Sequence, residues 1–216
     1  MIKAREVSMK VKPAPSQENL TTSEPTLSIK QYEDSHPLLW PVEHHVGPYD
    51  TTLFLGNGQA ACNGELLAAR GITSALNVAV NLPLAPLTLP DGMLLRHSHV
   101  GLIDGRGNTA PHLLAAMLAL AGLLTQASPG KVSYPAHRPG NILVHCRGGR
   151  SRAVAVLALF LHLALTERYP TLKDAFDHLR EVRGLDSTQP CGPLWQLTVQ
   201  CLNSSLSVWL KGVLQG

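Results

Sequence analysis

Apolar residues fall along the chain in short blocks whose period switches between strand-like and helical. TTLFLG, which breaks at Gly56, ITSALNVAV (72–80), MLLRHSHVGLI (93–103) and NILVH (141–145) are runs of strand length, alternating or rich in β-branched residues. Between them lie helical patterns: an Ala/Leu-rich segment over 59–70 closed by Gly71, LLAAMLALAGLL within 110–126, and AVAVLALFL within 152–167. Tyr169-Pro170 stops the last of these, and Thr171 with Asp174 makes a capping-box start for a helix over 172–183. A final helix begins near Gly192. Strands alternating with helices predict an α/β fold, a mostly parallel central sheet flanked by helices on both faces. The longest unbroken apolar runs fall below the roughly 18 residues of a bilayer span, so they read as core helices.

The two ends break this pattern. Ser, Thr, Pro, Lys and Glu dominate the first 35 residues and the first aromatic is Tyr32, so residues 1–45 are expected to form a flexible arm ahead of one domain at 46–216. HPLLWPVEHHVGPYD (36–50) is transitional between the two, with enough Leu, Val and Trp to pack on something. The opening MIKAREVSMKVK is basic but lacks the apolar region of a secretory signal. SLSVWLKGVL (205–214), with Trp209, is amphipathic and suits either docking on the core or peripheral membrane contact.

Composition narrows the partners. With 216 residues and 44% hydrophobic content the chain can bury one sizeable core. A net charge of +3 is too mild to imply nucleic acid, so any electropositive site must be local. Cys62, Cys146, Cys191 and Cys201 lack CxxC spacing, which argues against a zinc ribbon or a disulfide framework and for a reducing, cytoplasmic setting. His97 and His99 share one strand face, where ordinary packing competes with a metal pair. Asn57 and Asn77 read as residues that satisfy turns and backbone.

The chemistry concentrates in NILVHCRGGRSRAVAVLALF, residues 141–160. A strand, a glycine-containing loop and a helix start in succession make an anion site, because backbone N–H groups and the positive helix end converge on one spot. Cys146 opens that loop, where oriented amides and arginines favour the thiolate. Arg152 lies where the loop closes into the helix and can fork onto two oxygens of a phosphate above the sulfur. Gly149 permits the turn between them.

His145-Cys146-Arg147-Gly148-Gly149-Arg150-Ser151-Arg152 resembles the HCxxGxxR signature loop of the cysteine-dependent protein tyrosine phosphatases, most of all their dual-specificity branch. LFLGNGQAA, LLAARGITSALNVA, LREVRG and LWQL follow the same order and spacing over about residues 52–200. The resemblance implies a dual-specificity phosphatase-like fold and a two-step hydrolysis of phosphate monoesters through a phosphocysteine, with no cofactor and no metal. It also implies that Cys146 is the nucleophile, that residues 147–152 (Arg147, Gly148, Gly149, Arg150, Ser151 and Arg152) bind phosphate, and that His145 supports the loop by hydrogen bonding. An upstream acid is required, and Asp104 in LIDGRGN occupies its place after a strand and before a helix. Asp91 in LPDGM reads as a plain turn residue. Lys131, His137 and Arg138 enter the strand from the opposite end and are poor candidates for substrate contact.

One position departs from the family pattern. Ala153 stands where a Ser or Thr usually helps the thiolate leave, so slow turnover is expected unless Ser151 substitutes. Arg147 and Arg150 are reminiscent of phosphatases acting on phosphoinositide or phosphatidylglycerophosphate head groups, which leaves phosphorylated protein and phospholipid both open as substrates. A phosphate-binding pseudophosphatase is a further alternative. A rhodanese-type sulfurtransferase wants arginine five positions after the cysteine, where this chain has Ser151. Oligomeric state is left open.

Overall fold

The β-branched run NILVH lies at the centre of the molecule. A computed structural model, which describes residues 28–203, contains five strands: β1 (Leu39–Val46), β2 (Thr51–Gly56), β3 (Ile72–Ala79), β4 (Arg96–Leu102) and β5 (Asn141–His145). They form one sheet of order β1-β2-β5-β3-β4. β2, β5, β3 and β4 are parallel to their neighbours, and β1 runs antiparallel along the β2 edge. Seven helices accompany them: α1 (Ile29–Ser35), α2 (Gly58–Ala61), α3 (Gly64–Ala69), α4 (Ala110–Thr125), α5 (Arg152–Ala164), α6 (Leu172–Arg183) and α7 (Gly192–Leu202).

Strand alternation divides the core between the two faces of the sheet. Leu53, Leu55, Leu76, Val78, Ile142 and Val144 pack with α4, α5, α6 and α7. Phe54, Ala75 and Leu143 turn to the other face, against Leu67 of α3 and against Leu89, Met93 and Leu95 of the long connection before β4. Every residue of α5 from Arg152 to Leu161 is buried, which explains why its sequence is apolar all round rather than striped. α6 is striped instead, with Leu172, Ala175, Phe176 and Leu179 inward.

The mostly parallel sheet with helices on both faces agrees with the sequence; several boundaries move. The helix expected over 59–70 is two short ones, because Asn63 breaks the run and caps α3, its Oδ1 accepting from the Leu66 amide at 2.9 Å. β4 begins at Arg96 rather than Met93, since the Leu89 amide bonds the Met93 carbonyl and the Leu95 amide the Leu87 carbonyl, both at 2.8 Å. α5 stops at Ala164. The largest correction concerns the arm: residues 28–45 are not a tail but form α1 and most of β1. Ser28 and Gln31 close a capping box on α1, and β1 tolerates Pro41 because it is an edge strand with a register shift beside that residue. Glu43 on β1 is only 8% exposed, its carboxylate accepting from Tyr169 Oη and Arg168 Nη1, both at 2.5 Å. Residues 1–27 of the expected arm and the amphipathic stretch 205–214 lie outside the described residues. Among the described residues no helix is long and apolar enough to cross a membrane.

Candidate active site

Four parallel strands carry their carboxyl ends to one side of the sheet, and the loops that leave there build a cleft of about 290 Å³. Cys146, Arg147, Gly148, Arg150, Ser151 and Arg152 line it from the β5–α5 loop, Asp104 from the β4–α4 loop, Asn81 from the turn after β3, and Lys30 and Asp34 from α1. Cys146, Arg152 and Asp104, chosen from sequence, therefore meet in one place. Asp91 does not join them; it pairs with Arg138 at 2.7 Å.

Close backbone packing fixes the loop. Gly149 has φ +63°, and a Cβ there would stand 2.7 Å from the Gly56 carbonyl oxygen, so any side chain would force the loop off the end of β2. The Gly58 amide donates to the Arg147 carbonyl at 3.0 Å, tying the loop to α2. Ser151 Oγ accepts from the Cys191 amide at 2.8 Å, which anchors the loop's far end to α7 and leaves the hydroxyl proton to donate. Cys146 is 2% exposed at the floor of the cleft.

Arg152 is held from three directions although its side chain is nearly inaccessible. Nη1 donates to Asn81 Oδ1 at 2.7 Å and to the Leu102 carbonyl at 3.4 Å, and Nη2 lies 3.5 Å from Asp104 Oδ2. Its Nε is buried without a partner among the described residues, a donor still available to an oxyanion. Asn77 prepares this arrangement: its Oδ1 accepts from the Ala79 amide at 2.9 Å and its Nδ2 donates to the Leu82 carbonyl at 2.6 Å, shaping the turn that carries Asn81. Asn81 was not singled out from sequence. Its one signal was position, just past the carboxyl end of a parallel strand.

Asp104 is half exposed, and its loop is pinned by Asn108, which bonds both the amide and the carbonyl of Ile103 at 2.8 Å. The Asp104 carboxylate reaches Arg152 on one side and Cys191 Sγ, at 4.0 Å, on the other. His145 behaves differently from expectation. It is fully buried and neither ring nitrogen has a hydrogen-bond partner among the described residues, so it supports the loop by packing, with its ring 6.2 Å from that of His97. Burial, and after it the neighbouring His97, push its pKa down to about 3; the Cys146 backbone pulls the other way without hydrogen-bonding geometry. His145 is neutral at ordinary pH. Of the strand histidines, His99 bonds the Ala79 carbonyl at 3.0 Å and His97 stacks on His145.

Glu33, Asp34, Lys30 and Arg183 were also missed. Glu33 bridges Arg150 at 2.7 Å and Arg183 at 2.8 and 3.0 Å, and Asp34 bonds Arg150 at 2.6 Å. No sequence spacing links residues more than a hundred positions apart.

Comparison with known proteins agrees with this architecture. Human dual specificity protein phosphatase 14 is 32% identical over 127 residues, covering 57% of this chain and 56% of its own length. Human dual specificity protein phosphatase 2 is 28% identical over 149 residues, 68% of this chain and 41% of its own. The chain thus spans about half the length of the curated relatives it matches. Among solved structures, a single-residue variant of human DUSP28 superposes with a TM-score of 0.56 at 25% identity, over 81% of this chain and 99% of that one. No family model matches the chain. In sequence and in fold, then, the chain is similar to dual-specificity protein phosphatases.

Proposed function

We propose that this protein hydrolyses phosphate monoesters of phosphoproteins, phosphotyrosine first and phosphoserine or phosphothreonine within the same cleft, through a phosphocysteine on Cys146. The observation that carries the reading is the convergence of Cys146, Arg152 and Asp104 on one cleft at the carboxyl ends of the parallel strands. In the first displacement the Cys146 thiolate attacks phosphorus and the P–O bond to the leaving group breaks. Asp104 gives its proton to the departing oxygen. Arg152 holds two non-bridging oxygens through its buried, unpartnered Nε and through Nη2, which the Asp104 carboxylate holds only at 3.5 Å. In the second displacement Asp104, now a carboxylate, takes a proton from water as that water's oxygen attacks phosphorus; the P–S bond breaks and the thiolate returns.

Ala153 is fully buried in the first turn of α5, so no hydroxyl is supplied there to assist thiolate departure. Ser151 keeps a hydroxyl proton for that task, and the second step is the slower one. A lipid head group is the weaker alternative, because Arg150, one of the two loop arginines that suggested it, is engaged by carboxylates of α1. An acting Cys146 must be a free thiol, which suits a cytoplasmic location; no disulfide joins the four cysteines.

Rapid-quench kinetics on an aryl phosphate test the reading. The expected result is a burst of released phenol approaching one per Cys146, followed by slower steady turnover, with Cys146→Ser showing neither phase. A panel of phosphotyrosine, phosphoserine/threonine and phosphoinositide substrates should rank phosphotyrosine peptides above lipids. Linear phenol release, or turnover that survives Cys146→Ser, contradicts the mechanism.

A further inference from the structure

Arg150 is the cation of the cleft that is already spent. Its guanidinium lines the cleft with Cys146 and Arg152, yet both terminal nitrogens are taken, Nη1 by Glu33 Oε2 at 2.7 Å and Nη2 by Asp34 Oδ1 at 2.6 Å. The guanidinium lies against Gly148, where a Cβ would come within 2.6 Å of Nη2, so the loop itself makes room for this placement. The acids are not free to swing away. Arg183 grips Glu33 from the far side with two nitrogens, and its own guanidinium sits 4.1 Å from the centre of the Trp40 ring. Asn57 Nδ2 holds the end of α1 through the carbonyls of Glu33 and His36, at 2.8 and 2.7 Å. Asp34 lines the cleft, so a carboxylate stands where an anion flanking the scissile phosphate would meet Arg150.

We propose that Asp34 and Glu33 are specificity-determining residues: a built-in pair of anions that occupies Arg150 and denies it to a second phosphoryl group of the substrate. The idea rests on the phosphatase reading for its substrate class. A second phosphoryl group on the same peptide would have to displace Asp34 from a charge-assisted bond and then lie beside the released carboxylate, and like charges that close oppose binding. Lys30 and Arg147 are exposed at the same cleft and pair with no carboxylate among the described residues, while Arg150 offers no discrete second-phosphate subsite.

The test is a binding measurement in the Cys146→Ser background, so that a failure of catalysis and a failure of this proposal are separate results. Affinities are measured by fluorescence anisotropy for one phosphotyrosine peptide, with and without a second phosphoryl group two residues away. Cys146→Ser alone should bind the two peptides with similar affinity. Adding Asp34→Asn, which removes a charge at constant shape, should favour the doubly phosphorylated peptide by roughly tenfold, the worth of one hydrogen bond to a charged group. Adding Arg150→Gln to that variant should abolish the gain. Arg150→Gln without the Asp34 change provides a second arm should Asp34→Asn fold poorly: the ratio of the two affinities should stay where it was. An unchanged ratio in a folded Asp34→Asn variant, a gain that persists without Arg150, or a ratio that shifts in Arg150→Gln alone overturns the proposal.

Discussion

The β5–α5 loop is fastened on two sides by opposite physics. On the β5–α5 side the support is apolar: Ile142, Leu143 and Val144 lead into the loop and the buried residues 153–161 lead out of it. On the α1–α6 side it is ionic, with Glu33 joining Arg150 to Arg183 and Asp34 holding Arg150 from the same seven-residue helix. The apolar support is non-directional and tolerates no charge, so it sets where the loop is. The ionic support is directional and sets which of the loop's cations are available. A helix as short as α1 cannot stand by propensity, and these contacts are what give it a fixed place.

Breaking the apolar side should have the larger effect. Phe160 is a large, nearly inaccessible side chain of α5 within the main core. Phe160→Ala should lower unfolding free energy by about 3–5 kcal/mol in urea titration, with catalysis per folded molecule little changed. A loss below about 1 kcal/mol would mean that this face is not packed as described.

The junction of the two supports should respond to acid. His145, at the end of β5, has its pKa pushed from 6.5 down to about 3 by burial, so the folded protein keeps it neutral while the unfolded chain protonates it. Its contribution is therefore fully present above about pH 6.5 and is lost as pH falls toward 3, at about 1.4 kcal/mol per pH unit, or about 2 kcal/mol at pH 5. Glu33 acts in the same direction but lower, because Arg183 and then Arg150 hold its carboxyl below the usual range. His145→Gln, if it folds, should flatten the stability curve between pH 6.5 and 5. An unaltered slope there would remove His145 as the cause.

How much of this was legible in the sequence follows the same division. β5, its loop and α5 could be read directly, because periodicity, glycine position and the HCxxGxxR spacing are all local signals; Asp104 was suggested by the resemblance and by its place after a strand and before a helix. The break at Asn63 and the late start of β4 were not visible, since side-chain caps and loop hydrogen bonds override the apolar pattern there. β1 was hidden by Pro41 and by a buried Glu43 whose partners, Arg168 and Tyr169, lie about 125 residues away. α1 was hidden for the same reason: its polar face reads as solvated until Arg150 and Arg183 are brought to it by the fold. Asn81 carries only one contact that matters, and no motif announces it.

The ionic side gives the smaller and more local effect. Glu33→Gln keeps the shape of the side chain but removes the charge shared by Arg150 and Arg183, leaving Arg183 buried at 6% exposure with only the Trp40 ring and its remaining neutral contacts. Because Glu33 is itself about one-fifth exposed, water replaces part of what is lost, and the expected cost is about 1–2 kcal/mol. Hydrogen exchange is the measurement that separates this from a core effect. Amides of residues 31–36 should exchange faster in Glu33→Gln while those of α5 keep their protection, since α1 can detach without disturbing the sheet. If α1 and α5 lose protection together, the two supports are one cooperative unit and the distinction drawn between them fails; if neither changes, α1 is held by Asn57 and packing rather than by its charges.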